Sequence, residues 1–313
     1  MKKHLLSNLL LTFAFLLLIT PLFWGLFHYV LSLESATVTA KSQLSKQKFS
    51  SQIVNRDFTD IREYATHVPV LTYHQILPKQ KLQAYHLNDN GELLDTVVTL
   101  EQFTEQMEYL SSEGYTVLSL REFELFMTKQ KQVPVKSVLI TFDDGFKNVF
   151  EFAYPVLKEH RFPAVHFIIT GLVVQNTISF DSSISQYASL DELTNASDVF
   201  TYGSHTDSLH RLNENGLSLL ETNPSEQVQE DIALSFEWIG HSTAFASPYG
   251  AYTDATLQVL QDLKVTLGFT IEPGYAVPTL PLLEIPRHGI FPSYTMREFH
   301  DIISPPQWEV TSK

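Results

Sequence analysis

Three short segments of this 313-residue chain carry the residue types of a hydrolytic site. They are Thr141-Phe142-Asp143-Asp144-Gly145, Ser204-His205-Thr206-Asp207-Ser208-Leu209-His210 and Ala246-Ser247-Pro248-Tyr249-Gly250. Two carboxylates and two imidazoles, each near the end of an apolar run, can hold a divalent ion and leave one carboxylate for proton transfer. That combination points to metal-assisted hydrolysis. Taken alone, Asp-Asp-Gly reads more readily as a turn than as a site, because Asp-Gly is common turn chemistry and Asp caps helices. The histidines shift the balance. Five residues apart, His205 and His210 are separated by about 500° around a helix and do not share a helical face. Their spacing suits a strand end running into a loop, unlike the helical H-E-x-x-H metal site. The chain has no cysteine, so any metal falls to histidine and carboxylate, and thiolate sites, disulfides and cysteine nucleophiles are excluded.

The elements around these segments must bring them together. Residues 138–142 form a continuous apolar run, the pattern of a strand buried on both faces, and it ends at the Asp pair. Parallel α/β folds place their sites at such carboxyl ends. Further strands are expected over 68–73, 164–169, 199–203, 243–246, 267–271 and 283–285. A helix starts at Thr99, with Gln102 completing a capping box and Phe103, Met107 and Leu110 on one face, and Gly114 stops it. Other helices are expected over 118–127 with Ser119 as cap, 149–160 with a kink or start at Pro155, 190–193, 225–239 and 253–263. Strand–helix alternation predicts a parallel α/β architecture, a barrel or an open sheet, and nothing divides the chain after residue 67.

Lys2, Lys3 and His4 precede an apolar run over 9–33, long enough for the roughly 20 residues of a membrane span. Val38-Thr39-Ala40 offers a small-residue site at which a signal would be cleaved. Residues 1–33 are therefore expected as a signal anchor or signal peptide, 34–66 as a polar linker, 67–300 as the catalytic domain and 301–313 as a tail carrying Trp308. The domain is expected at the extracellular face of the membrane, or secreted and surface-associated if the segment is cleaved. A net charge of −14 argues against nucleic acid as a partner and tolerates a neutral or cationic polymer.

Over roughly residues 67–292 the motifs resemble the polysaccharide deacetylase family, the NodB-homology group. The context of the His pair, with Leu71-Thr72-Tyr73-His74, resembles the branch acting on the biofilm exopolysaccharide poly-β-1,6-N-acetylglucosamine, in its short Gram-positive form. The resemblance implies a distorted (β/α)7-type barrel. It implies a divalent metal on Asp144, His205 and His210, a donor set suited to Zn and compatible with Co, Ni or Fe. Asp143 takes the role of general base, the Tyr249 backbone N–H that of oxyanion donor, and His74 that of general acid, with His288 as the alternative. Arg287 either pairs with Asp143 and tunes its pKa or lies on the surface, and Pro248 and His288 are candidates for the substrate side. The implied partners are the exopolysaccharide, the bacterial membrane through the N-terminal segment, and the machinery of polymer synthesis and export. There are departures. Phe245-Ala246-Ser247 stands where many relatives carry an arginine before Pro-Tyr-Gly, and an Asp-Trp pair is missing near Phe269-Thr270-Ile271-Glu272. Both weaken the match to peptidoglycan and chitin deacetylases. A sugar-binding protein on a retired barrel is the reading from another class. His166 occupies a strand position where relatives carry an apolar or aromatic residue. It is read, with His28, His67, His86, His160, His241 and His300, as structural or solvated.

Overall fold

A computed structural model describes residues 55–240 and 243–304. The expected anchor and cleavage site, the linker up to residue 54, His241 and Trp308 lie outside the described residues. No helix among the described residues is long and apolar enough to cross a membrane.

In chain order the elements are β1 (Val68–Tyr73), β2 (Gln75–Leu77), β3 (Val97–Thr99), α1 (Leu100–Ser112), β4 (Thr116–Val117), α2 (Leu120–Met127) and β5 (Ser137–Phe142). There follow α3 (Tyr154–His160), β6 (Ala164–Ile168), α4 (Leu190–Asn195), β7 (Phe200–Ser204), α5 (Leu219–Thr222) and α6 (Ser225–Ile239). The series ends with β8 (Ala244–Ala246), α7 (Asp254–Asp262), β9 (Leu267–Phe269), β10 (Tyr275–Ala276), β11 (His288–Gly289) and α8 (Met296–Ile303).

Strands β1, β5, β6, β7, β8 and β9 are parallel neighbours in that order. On its other edge β1 pairs antiparallel with β10 and parallel with β11. At the far end Ile285 bridges Phe269 of β9. Residues 285–289 thus touch both edges of a curled sheet. The strand expected over 283–285 is this single bridge, because the Phe269 partner ends the ladder there.

Alternation along the strands fills one face with Val68, Val70, Leu139, Val165, Phe167, Ala244, Ala246, Leu267 and Phe269, packed with Phe123, Phe126 and Met127 of α2. On the opposite face Tyr73 and Phe142 meet Phe103 of α1. His166 sits among these rings, stacked on Phe150 with centroids 5.1 Å apart and beside Phe142 and Phe200. Burial depresses its pKa to about 3, so the ring is neutral at working pH and serves as an aromatic side chain.

Several local expectations change. Thr99 caps α1 by accepting from Gln102 N–H, but the Gln102 side chain donates to the carbonyls of Tyr294 (3.0 Å) and Phe291 (3.3 Å), so no box closes. The helix expected over 149–160 begins as a π-helical turn over Val149–Ala153. Pro155 sits in the first turn of α3, where a missing N–H costs nothing. Residues 55–66, expected as linker, lie on the domain from Arg56 onward. Arg56 donates to Glu122 through its backbone N–H (2.7 Å), Nε (2.9 Å) and Nη2 (2.6 Å), and Tyr64 bridges Pro134. Helix α8, capped by Thr295 and Glu298, runs on into the segment expected as tail.

Candidate active site

The carboxyl ends of β1, β5, β7 and β8 converge, and the backbone there takes unusual turns. Asp143 N–H still donates to Tyr73 O, after which Asp144 (φ 73°) and Gly145 (φ 83°) both adopt the left-handed conformation. Thr206 (φ 71°) and Tyr249 (φ 58°) do the same after β7 and β8. For non-glycine residues this conformation costs roughly 1–2 kcal/mol each. The other left-handed non-glycine residues among those described, Lys129, Arg161 and Lys264, follow helix ends, where the αL turn closes the helix. Gly250 is required beside Tyr249, since a Cβ there would lie 2.2 Å from Ile271 Cγ1. Pro248 opens this turn and is buried.

Asp144, His205 and His210 come together, with one ligand atom from each lying within 4.8 Å of the others. Asp144 Oδ1 is 3.4 Å from His205 Nε2 and 3.2 Å from His210 Nε2. Yet this oxygen is buried and forms no hydrogen bond among the described residues. The three atoms lie close together while this oxygen stays unbonded, as donors gathered around an ion do. His205 Nδ1–H donates to Ala246 O at 2.7 Å, so Nε2, the nitrogen near Asp144, carries the lone pair. Burial opposes the charge on Asp144, but the imidazoles outweigh it and hold the carboxyl well below the usual range. His205 shows the converse: burial works against its cation, and Asp144 and Asp143 raise its pKa. Two imidazoles and a carboxylate fit a divalent ion of the Zn, Co, Ni or Fe kind.

Asp143 points to the other side of the turn. Arg287, itself fully buried, donates to both its oxygens, Nη1 to Oδ1 and Nη2 to Oδ2, each at 2.8 Å. Arg287 is fixed in turn by Nε donating to Thr270 O at 2.8 Å and by Thr141 Oγ1 accepting from Nη1 at 3.3 Å. Burial pushes the Asp143 pKa up, but Arg287 foremost brings it below the usual value. His74 follows β1 and places Nε2 4.0 Å from Asp143 Oδ2. His288 belongs elsewhere. Its ring packs edge-on against Tyr275 at 5.0 Å, its buried Nε2 has no partner among the described residues, and burial lowers its pKa. The Tyr249 ring, 43% exposed, lies 4.5 Å from that of His210.

The other described histidines have settings away from this cluster. His67 packs on Tyr275, His86 accepts from Gln83 N–H, His160 stacks on Phe162 and His300 lies beside Asp301. Sequence reasoning missed Asp231, which binds the loop between the two site histidines. Its signal was present: an acid in line with Val228 and Ile232 on the apolar stripe of α6. Phe146 and Tyr187, stacked at 5.2 Å, were also missed as neighbours of the Asp144 turn.

Comparison with known proteins gives the chain its relatives. The family model of polysaccharide deacetylases matches residues 130–268. A poly-β-1,6-N-acetyl-D-glucosamine N-deacetylase of Staphylococcus aureus is 30% identical over 224 residues, covering 69% of this chain and 76% of that one. Its counterpart from Staphylococcus epidermidis is 28% identical over the same shares. Among solved structures, the Streptococcus pyogenes deacetylase PplD in complex with acetate superposes with a TM-score of 0.65 at 24% identity, covering 77% of this chain and all of that one. IcaB from Ammonifex degensii gives a TM-score of 0.61 at 26% identity, covering 73% and 94%. The fold is shared with these structures, and with 30% identity to a relative matched over 76% of its length this chain belongs to the polysaccharide deacetylase family, hydrolases that act on amides.

Proposed function

We propose that this chain removes N-acetyl groups from poly-β-1,6-N-acetylglucosamine at the outer face of a bacterial membrane, with a divalent ion, Zn foremost, on Asp144, His205 and His210. The observation that carries the reading is the side-by-side contrast at the β5 end. Asp143 is held ionised by Arg287, while Asp144 Oδ1 faces two imidazole nitrogens without bonding either. The choice of polymer rests on the names of the staphylococcal relatives.

A divalent ion bound there supplies Lewis acidity to the attacking water and the acetamide carbonyl. Asp143 accepts the proton of that water while the water oxygen adds to the carbonyl carbon. The Tyr249 backbone N–H donates to the oxygen on which charge develops. His74 delivers a proton to the glucosamine nitrogen, the C–N bond breaks, and acetate and a free amine leave. Each amine released makes a neutral polymer more cationic, which favours its adhesion to acidic cell surfaces in a biofilm. The apolar run over 9–33 supports attachment to the membrane, and that site supports work beside the machinery that makes and exports the polymer.

The test is acetate release by the full chain in detergent, supplied with Zn or Co, from β-1,6-linked and β-1,4-linked N-acetylglucosamine oligomers. Release from the β-1,6 oligomers, absent with Asp143→Asn, is the expected result. Preference for β-1,4 oligomers moves the substrate to cell wall or chitin. Absence of release from both, with metal bound, leaves a sugar-binding protein.

A further inference from the structure

Helix α6 carries two polar residues one turn apart, Asp231 and Ser235, on a buried face otherwise made by Val228, Ile232, Trp238 and Ile239. A carboxylate on such a stripe is costly unless both oxygens are satisfied. Asp231 Oδ1 accepts from Asp207 N–H at 2.8 Å. Its Oδ2 accepts from Ser208 N–H at 2.8 Å and from Ser208 Oγ at 2.7 Å. One turn on, Ser204 Oγ donates to Ser235 Oγ at 2.8 Å and accepts from Thr206 N–H at 3.3 Å. The helix therefore grips the chain on both sides of His205.

Between those two grips lies Thr206, a β-branched residue at φ 71° whose buried hydroxyl has no partner among the described residues. Left to itself, a threonine leaves this conformation, which costs about 1–3 kcal/mol. The turn persists because surrounding contacts fix it. The strongest of these are the charge-assisted bonds to Asp231, backed by Thr170 Oγ1 donating to Asp207 Oδ1 at 2.8 Å. The same turn is what brings His205 and His210 beside Asp144.

We infer that Asp231 is a positioning residue for the metal centre: its carboxylate holds residues 207–208 in the turn that puts both imidazoles on the side of Asp144. The inference rests on the reading of Asp144, His205 and His210 as ligands. The hydrogen bonds of Asp231 go to residues 207 and 208, so its influence on the imidazoles passes through that stretch of chain.

The experiment is a titration of the full chain with Co(II), read by calorimetry and by the visible d–d spectrum of the bound ion. Asp231→Ala and Asp231→Asn are compared with the unaltered chain, and far-UV circular dichroism of each metal-free protein is the control for folding. Asp231→Ala loses both acceptors and is expected to bind Co(II) at least about tenfold more weakly, with a shifted spectrum. Asp231→Asn turns an amide N–H₂ toward a backbone N–H and is expected to fall between the two. If the Ala variant does not fold, the Asn variant decides alone. A folded variant with unchanged affinity and spectrum overturns the inference. Absence of binding by the unaltered chain, tested with Co(II) and Zn(II), instead removes the ligand reading and the inference with it.

Discussion

Two arginine–carboxylate pairs in this molecule look alike and do different things. Glu122 and Asp143 are both buried, and each is gripped by a guanidinium. Glu122 accepts from the Arg56 backbone and side chain and from Ser119 N–H at 3.0 Å, which uses its acceptor capacity around both oxygens. It lies near the start of β5, where Arg56 also reaches Val117 O, and it fastens the chain that precedes β1 to the foot of the sheet. Asp143 has Arg287, with His74 Nε2 at 4.0 Å beyond it, and is followed directly by a carboxylate whose oxygen is left unbonded. Glu122, with two donors on each oxygen, is a fastener, whereas Asp143 takes one donor on each and keeps acceptor capacity to spare. A carboxylate that is kept ionised next to unfilled donors is equipped for chemistry.

The comparison breaks most sharply under Asp143→Asn set against Glu122→Gln. The first is expected to lower kcat for acetate release by about 10²–10⁴-fold, the range of general-base catalysis, and to lower Tm as well, because the buried Arg287 keeps its charge without a charged partner. Next comes the choice of acid. His74→Ala is expected to lower kcat about 10²-fold, while His288→Ala, whose ring meets Tyr275, leaves it within a few-fold. Equal losses would dissolve the distinction drawn between the two histidines. Arg287→Ala sharpens it further. Without the guanidinium, burial governs Asp143 and its pKa rises, so the acid limb of kcat/KM moves to higher pH. The same change leaves a buried charge unpaired and is expected to cost roughly 3–5 kcal/mol of stability at neutral pH. The native Asp143 has a depressed pKa. Its contribution is therefore present above the usual value of 3.8 and is lost as pH falls through the folded one, so the gap between the two proteins narrows in acid. An acid limb that stays in place would show that Arg287 only props the fold.

Much of this was legible because it is local. Asp-Asp-Gly, the His pair and Pro-Tyr-Gly each sit within a few residues of a strand end, and apolar runs mark those ends in the sequence. What was hidden is mostly long range. Arg287 lies 144 residues from Asp143, so the sequence left its pairing open against a surface position, and Gln102 reaches a carbonyl 189 residues away with no local trace at all. Strands β10 and β11, two residues each, are shorter than any period that could reveal them. The segment from Arg56 to Thr66 reads as linker because its composition is polar, and only the fold shows that Glu122 is waiting for it. Asp231 is the instructive case. A polar residue on an apolar helical stripe is a question the sequence does ask, and the answer lies in the loop it faces.

Glu122→Gln tests the fastener directly. Half-exposure of Arg56, whose side chain is 39% accessible, tempers the loss, and about 1–3 kcal/mol is expected, read as a fall in the urea midpoint. Burial favours the neutral form of Glu122, but Arg56 and the Ser119 N–H prevail and lower its pKa from the usual 4.5. The difference between the proteins is therefore largest above that value and shrinks as pH falls through the folded pKa. Activity per folded molecule should not change. A specific loss of kcat would mean that the foot of the sheet is coupled to the site, and the contrast between the two pairs would fail.

The smallest effect is expected at Tyr249. Its ring is partly exposed and its assigned role belongs to the backbone, which the left-handed turn at φ 58° and the close approach of Gly250 to Ile271 hold in place. Tyr249→Phe keeps ring, turn and N–H, and kcat is expected to stay within about twofold, since no transition-state interaction is removed. A fall of tenfold or more would bring the phenol into the reaction. The oxyanion would then be served by a side chain rather than by the peptide, and the strained turn at Tyr249 would need another reason to exist.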